Sequence, residues 1–167
     1  MIKATAPAQE VFITDTFDPN LDWSTFQVAE IAFSDHLMAV SEGPGGFYAQ
    51  VVVPDYRAEE DQSWWVEITA EIDYQTGQVI WTFRTLDPVT GELPEDPLAG
   101  FLPPNDETGR GEGHVVFSIK PKAGIPIGTR LTNSASIVFD TNDPIETNEV
   151  WNTVGYQIFL PLDLRSR

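Results

Sequence analysis

The sequence predicts an all-β fold in which two antiparallel sheets pack as a sandwich. Three observations carry this. Apolar and polar residues alternate with period two along most of the chain, and helical spacing is almost absent. Clusters of Pro, Gly, Asp and Asn separate the alternating runs at short intervals. Apolar residues make up 41% and aromatics 11% of the 167 residues, enough for one packed core and too much for disorder.

The plainest run is Val66-Glu67-Ile68-Thr69-Ala70-Glu71-Ile72-Asp73, with Val66, Ile68, Ala70 and Ile72 on one face. A turn at Tyr74 to Gln78 contains Gly77, which is free to take positive φ, and Val79 to Arg84 returns. Residues 64–86 therefore read as a β-hairpin. Further strands are expected at Glu10 to Asp15, Phe47 to Val53, His114 to Lys120 and Thr129 to Asp140. Thr25 to Phe33 is apolar but changes phase, which predicts a bulge. Glu149 to Val154 and Gln157 to Leu162 are weaker candidates, giving seven to nine strands in all. Each has one wet face, as in a sandwich of two sheets. Asp87 to Gly113 has no periodic pattern and contains Pro88, Pro94, Pro97, Pro103 and Pro104; a loop this long is expected to be functional or pinned.

Charge and composition exclude several functions. With 26 acidic and 9 basic residues the formal charge is −17, so the field repels nucleic acid and anionic membrane surfaces. No stretch approaches the roughly 20 apolar residues of a membrane helix. There is no cysteine, hence no disulfide, no Cys-ligated zinc and no thiol nucleophile. Met1-Ile2-Lys3 runs into Ala-Thr-Ala-Pro-Ala without an apolar signal region, so the chain is expected either not to be exported or to be one module of a longer exported protein.

Oxygen ligands concentrate in three turns. The first holds Asp15, Asp18, Asn20 and Asp22, the second Asp106 and Glu112, the third Asp140, Asn142 and Asp143. Calcium takes six to eight oxygens from carboxylates, amides and carbonyls on flexible loops, and alternate Asp/Asn spacing with Gly or Pro bends suits it. The competing explanation is that Asp and Asn build turns through side-chain-to-backbone hydrogen bonds. Structural Ca2+ is the expectation, since a charge of −17 must be screened. Adjacent Trp64 and Trp65 face opposite sides of their strand; Trp65, Trp151 and Tyr56 are the candidates for a glycan-stacking surface, against the commoner role of aromatics as core. His36 is placed in a polar turn and His114 at the start of a strand. No nucleophile-elbow pattern accompanies them, and a non-catalytic protein is expected.

The segments Ala6 to Trp23, Leu93 to Asp106, Gly109 to Gly113 and Ile137 to Asn148 together resemble the Ig-like "conserved repeat" modules of large secreted bacterial proteins, which occur beside cadherin-like and hemolysin-type calcium-binding repeats. Asp140-Thr141-Asn142-Asp143 is similar to the calcium-binding Asp-x-Asn-Asp of cadherin linkers. The resemblance implies an Ig-like sandwich over residues 1–154, followed by a strand-like tail at 155–167. It implies an extracellular, cell-surface location and a structural or adhesive role beside neighbouring modules or copies of itself. A carbohydrate-binding module, and a fibre or layer subunit exchanging strands, are the alternatives.

Overall fold

The computed structural model describes residues 4–41, 43–57 and 62–155. These contain no helix and eleven strands: β1 (Glu10–Thr16), β2 (Leu21–Phe33), β3 (His36–Ala39), β4 (Phe47–Pro54), β5 (Ser63–Asp73), β6 (Gln78–Leu86), β7 (Gly113–Pro121), β8 (Arg130–Asn133), β9 (Ala135–Phe139), β10 (Ile145–Glu146) and β11 (Val150–Thr153). Six form one sheet in the order β10-β9-β1-β6-β5-β4, three form a second in the order β3-β2-β7, and β11-β8 make a two-stranded ribbon. Every pairing is antiparallel.

The larger sheets face each other through the inward rows that alternation picks out. Phe26 of β2 meets Trp81 of β6 edge-on at 6.0 Å, and Phe33 meets Phe83 at 6.1 Å. Trp64 points inward and is buried, whereas Trp65 is half-buried on the outer face. Val66, Ile68, Val79 and Trp81 are essentially inaccessible, so this hairpin forms the centre of the core. Its turn is built as expected. Gly77 has φ +73°, and a Cβ there would collide with the Trp23 indole. In β2 the register slips between Asp22 and Gln27 and again between Val28 and Glu30, which accounts for the change of phase.

Two local expectations are corrected, and one strand was not foreseen. Thr129 to Asp140 is not one strand: Asn133 ends β8, which pairs with β11, and Ala135 starts β9, which stays in the large sheet beside β1. The alternation runs through the corner because both halves bury the same side. His36 opens β3 instead of lying in a turn, with its ring 5.4 Å from that of Phe33. The short β10 carried no periodic signal because two residues cannot show one. The expected strand Gln157 to Leu162, and the tail at 155–167 beyond Gly155, lie outside the described residues.

No strand interrupts residues 87–112, and the segment is pinned. Ala99, Phe101 and Leu102 are buried in the core. Phe101 stacks on Phe83 at 5.8 Å, and its N–H donates to the fully buried Thr85 Oγ1 at 3.0 Å. Arg57 forks onto Asp55 with Nε–Oδ1 3.1 Å and Nη2–Oδ2 2.8 Å, and its Nη1 reaches Asp96 Oδ2 at 2.9 Å. Gln9 Nε2 donates to the carbonyls of Pro94 and Asp96. The loop is thus one wall of the sandwich.

Candidate functional site at the junction of β1 and β8

On β1, the inward row Val11, Ile13 continues with Asp15, and the row of Leu131 on β8 continues with Asn133. Two polar side chains therefore fall where apolar ones are due. They meet across the corner: Asn133 Nδ2 donates to Asp15 Oδ2 at 2.7 Å. Asp15 is 4% exposed, and its Oδ1 is buried without a hydrogen-bond partner; so is Asn133 Oδ1. A buried oxygen left without a donor costs about 1–3 kcal/mol. Burial pushes the Asp15 carboxyl above the ordinary 3.8 of aspartate, and the Asn133 hydrogen bond only partly opposes it. Three residues on, Asp18 Oδ2 accepts from the Thr132 N–H at 3.2 Å, so two carboxylates tie the end of β1 to β8.

The other oxygen-bearing residues are mostly engaged locally. Asp18 Oδ1 accepts from the backbone and side-chain nitrogens of Asn20. Desolvation raises the Asp18 carboxyl, but these bonds and the one from Thr132 outweigh it and hold it low. Asp22 Oδ1 accepts from Ser24 N and Oγ, and Asp106 Oδ1 from Thr108 N and Oγ1. The same i to i+2 turn recurs at Asp55, Asp73, Asp87 and Asp96. Glu112 Oε1 accepts from Asn105 Nδ2 at 2.9 Å. Asp140 sits at φ +51°, and its Oδ1 receives the N–H groups of Gln9 and Glu10, joining the end of β9 to the start of β1. Asn142 donates to the Phe139 carbonyl, and Asp143 is exposed in the same turn. These Asp side chains thus build turns by accepting from N–H groups two residues on. Of the run Asp140 to Asp143, Asp140 is the residue that anchors β1.

Among the described residues, no three His, Cys, Asp or Glu side chains lie close enough to hold a metal ion. An ion bound by oxygens would therefore draw on amides and backbone carbonyls too. The best fit is the β1–β8 corner, where Asp15 Oδ1 and Asn133 Oδ1 both lack a donor. Sequence reading named Asp15 and missed Asn133, although its place in an apolar row was the available signal.

The aromatic candidates lie on separate elements. Trp65 is on the outer face of β5, and Tyr56 follows β4 beside Arg57, whose guanidinium carbon is 6.0 Å from its ring. Trp151 is on β11, 57% exposed, with the Arg130 guanidinium 4.7 Å from its ring. His114 pairs with Glu30 at 2.9 Å on the outside of the smaller sheet.

A family described as a domain of unknown function (DUF7619) matches residues 100–153. That span runs from the end of the long loop through β11 and includes Asn133. Comparison with curated proteins and with solved structures gives no match.

Proposed function

We propose that the chain is a non-catalytic structural and adhesive module of an extracellular bacterial surface protein, braced by calcium. The observation that supports this best is where the polar chemistry is. The acidic groups mostly build turns, and the two oxygens left without donors sit at a joint between strands. An ion there would lock β8, and with it the β8–β11 ribbon, onto β1. Metal at about a hundred times its Kd would add about 2.7 kcal/mol to stability.

Thermal melting with calcium, with magnesium and with chelator tests the brace. Calcium is expected to raise Tm by a few degrees in the native chain and to leave Asp15→Asn unmoved. Coincident native curves would remove the metal from the reading. Retention of the purified chain on bacterial cells and on immobilised copies of itself tests the adhesive role; absence of retention on both would reject it.

A further inference from the structure

Three connections meet at one end of the sandwich and enclose a cleft of about 180 Å³. Ser34 and Asp35 come from the turn between β2 and β3, Tyr56 from the residues after β4, and Arg110 from the end of the long loop. The backbone around each is held. The Ser34 N–H donates to the Glu112 carbonyl at 3.0 Å, and Ser34 sits at φ +50°, a region that residues other than glycine seldom occupy. The turn carrying Arg110 closes through the Glu112 N–H onto the Gly109 carbonyl at 3.0 Å, and Gly111 lies so close to Asn105 that a Cβ would collide. The Asp55 N–H donates to the Gln62 carbonyl, and the fork of Arg57 on the Asp55 side chain fixes Tyr56 between them. Val53 and Phe101, both buried, give the cleft an apolar base.

The polar groups around this base are not used up by the fold. Arg110 Nε is 3.8 Å from Asp35 Oδ2, an ion pair too long for a hydrogen bond, and has no other partner. Among the described residues, the Tyr56 hydroxyl and the His36 ring nitrogens also make no hydrogen bond; the His36 ring packs against Phe33, and the Tyr56 ring against the Arg57 guanidinium. A donor-only guanidinium, an acceptor-only carboxylate and two groups able to do either therefore converge on one cleft. That set selects the ligand. An anion would meet Asp35 and the field of a chain of net −17, and a cation would meet Arg110. A neutral ligand whose hydroxyls both donate and accept suits all four groups, and its C–H faces suit Phe101 and the Tyr56 ring. The volume is below the roughly 300–1,000 Å³ of pockets that enclose a whole drug-sized molecule, so the cleft takes a single ring. We propose that it binds one neutral sugar residue, such as the terminal unit of a surface glycan, with Arg110, Asp35, His36 and Tyr56 as its hydrogen-bonding groups. This deepens the adhesive reading by naming a class of partner, and rests on that reading for its setting. Of the aromatics considered for glycan stacking, Tyr56 lines this cleft; Trp65 and Trp151 do not.

Nuclear magnetic resonance titration of the isotope-labelled full chain tests it. The probes are glucose, galactose, mannose and N-acetylglucosamine, with glucuronate and glucosamine as charged controls. At least one neutral sugar is expected to shift the amides of Ser34, Asp35 and Arg110 saturably, and the charged controls to shift them less. Tyr56→Ala and Arg110→Gln should each weaken binding at least about ten-fold, as loss of a contact to a charged or stacking group does. Tyr56→Phe, which keeps the ring, should weaken it less, and Trp151→Ala should leave it unchanged. Melting curves of the variants establish that each is folded; should Tyr56→Ala not fold, Arg110→Gln and Tyr56→Phe still decide the matter. No saturable shift at those amides with any neutral sugar would overturn the proposal, as would shifts that persist in the folded variants or tighter binding of glucuronate. Retention on bacterial cells that survives in Tyr56→Ala, while no sugar binds, would overturn this site and leave the adhesive reading standing.

Discussion

Asp15 and Asn133 share one hydrogen bond and leave one oxygen each without a donor, at a corner where two strands of different sheets part. A protonated Asp15 could donate its Oδ1–H to Asn133 Oδ1 and close a two-bond acid–amide ring. An ion would satisfy both oxygens in another way. The ionised, metal-free pair satisfies neither.

Asp15→Asn should therefore stabilise the metal-free protein at neutral pH. The new amide accepts from Asn133 Nδ2 and donates to Asn133 Oδ1, so both orphans find partners. A gain of about 1–3 kcal/mol is expected from denaturant titration in chelator. A loss of stability would mean that the native carboxylate is satisfied by something other than a proton or an ion.

The pH dependence has two opposed parts. The Asp15 carboxyl is raised by burial, so its favourable contribution is complete below the unfolded value of 3.8 and is lost as pH rises through the folded value. Asp55 is lowered chiefly by the Arg57 hydrogen bonds, Asp73 by the Gln75 N–H, Asp96 by the Leu98 N–H and Asp106 by Thr108. Their contributions are present above 3.8 and are lost as pH falls through the depressed folded values. Overall stability should fall in acid. The advantage of Asp15→Asn over the native chain should shrink over the same descent, read from unfolding midpoints at stepped pH.

Arg57→Ala should be among the costlier substitutions of a charged residue. It leaves the Asp55 side chain, 3% exposed, without its fork and frees Asp96 from the wall of the sandwich. A loss of about 3 kcal/mol is expected, with faster proteolysis within residues 87–112. Arg57→Lys should recover part of the stability, because one ammonium cannot bond both oxygens in the fork geometry. Unchanged cleavage in the alanine variant would show that the loop is held by its apolar residues alone.

Phe101→Ala should cost as much as a substitution in a central strand, about 3–5 kcal/mol, although Phe101 lies in the loop. Its ring packs between Phe33 at 5.3 Å and Phe83 at 5.8 Å. Val89→Ala, at a 90% exposed position of the same loop, should be close to neutral. Equal effects in denaturant titration would contradict the division of the loop into a buried end and a wet one.

The sequence by itself determined the class of fold and most of its strands. Side-chain direction repeats every two residues, so Val66 to Ile72 and Val115 to Ile119 announce their buried faces without reference to any partner. It also determined the turns, because Asp73 and Gly77 act within a few residues of themselves. Beyond the β5–β6 hairpin, only the tertiary structure decided which strand lies beside which, that the run from Leu131 to Phe139 divides between two sheets at Ser134, and that Asp15 meets Asn133 across 118 residues. Alternation records which way a residue faces, not what it faces. A polar residue in an apolar row declares that it needs a partner, and only the folded chain supplies one.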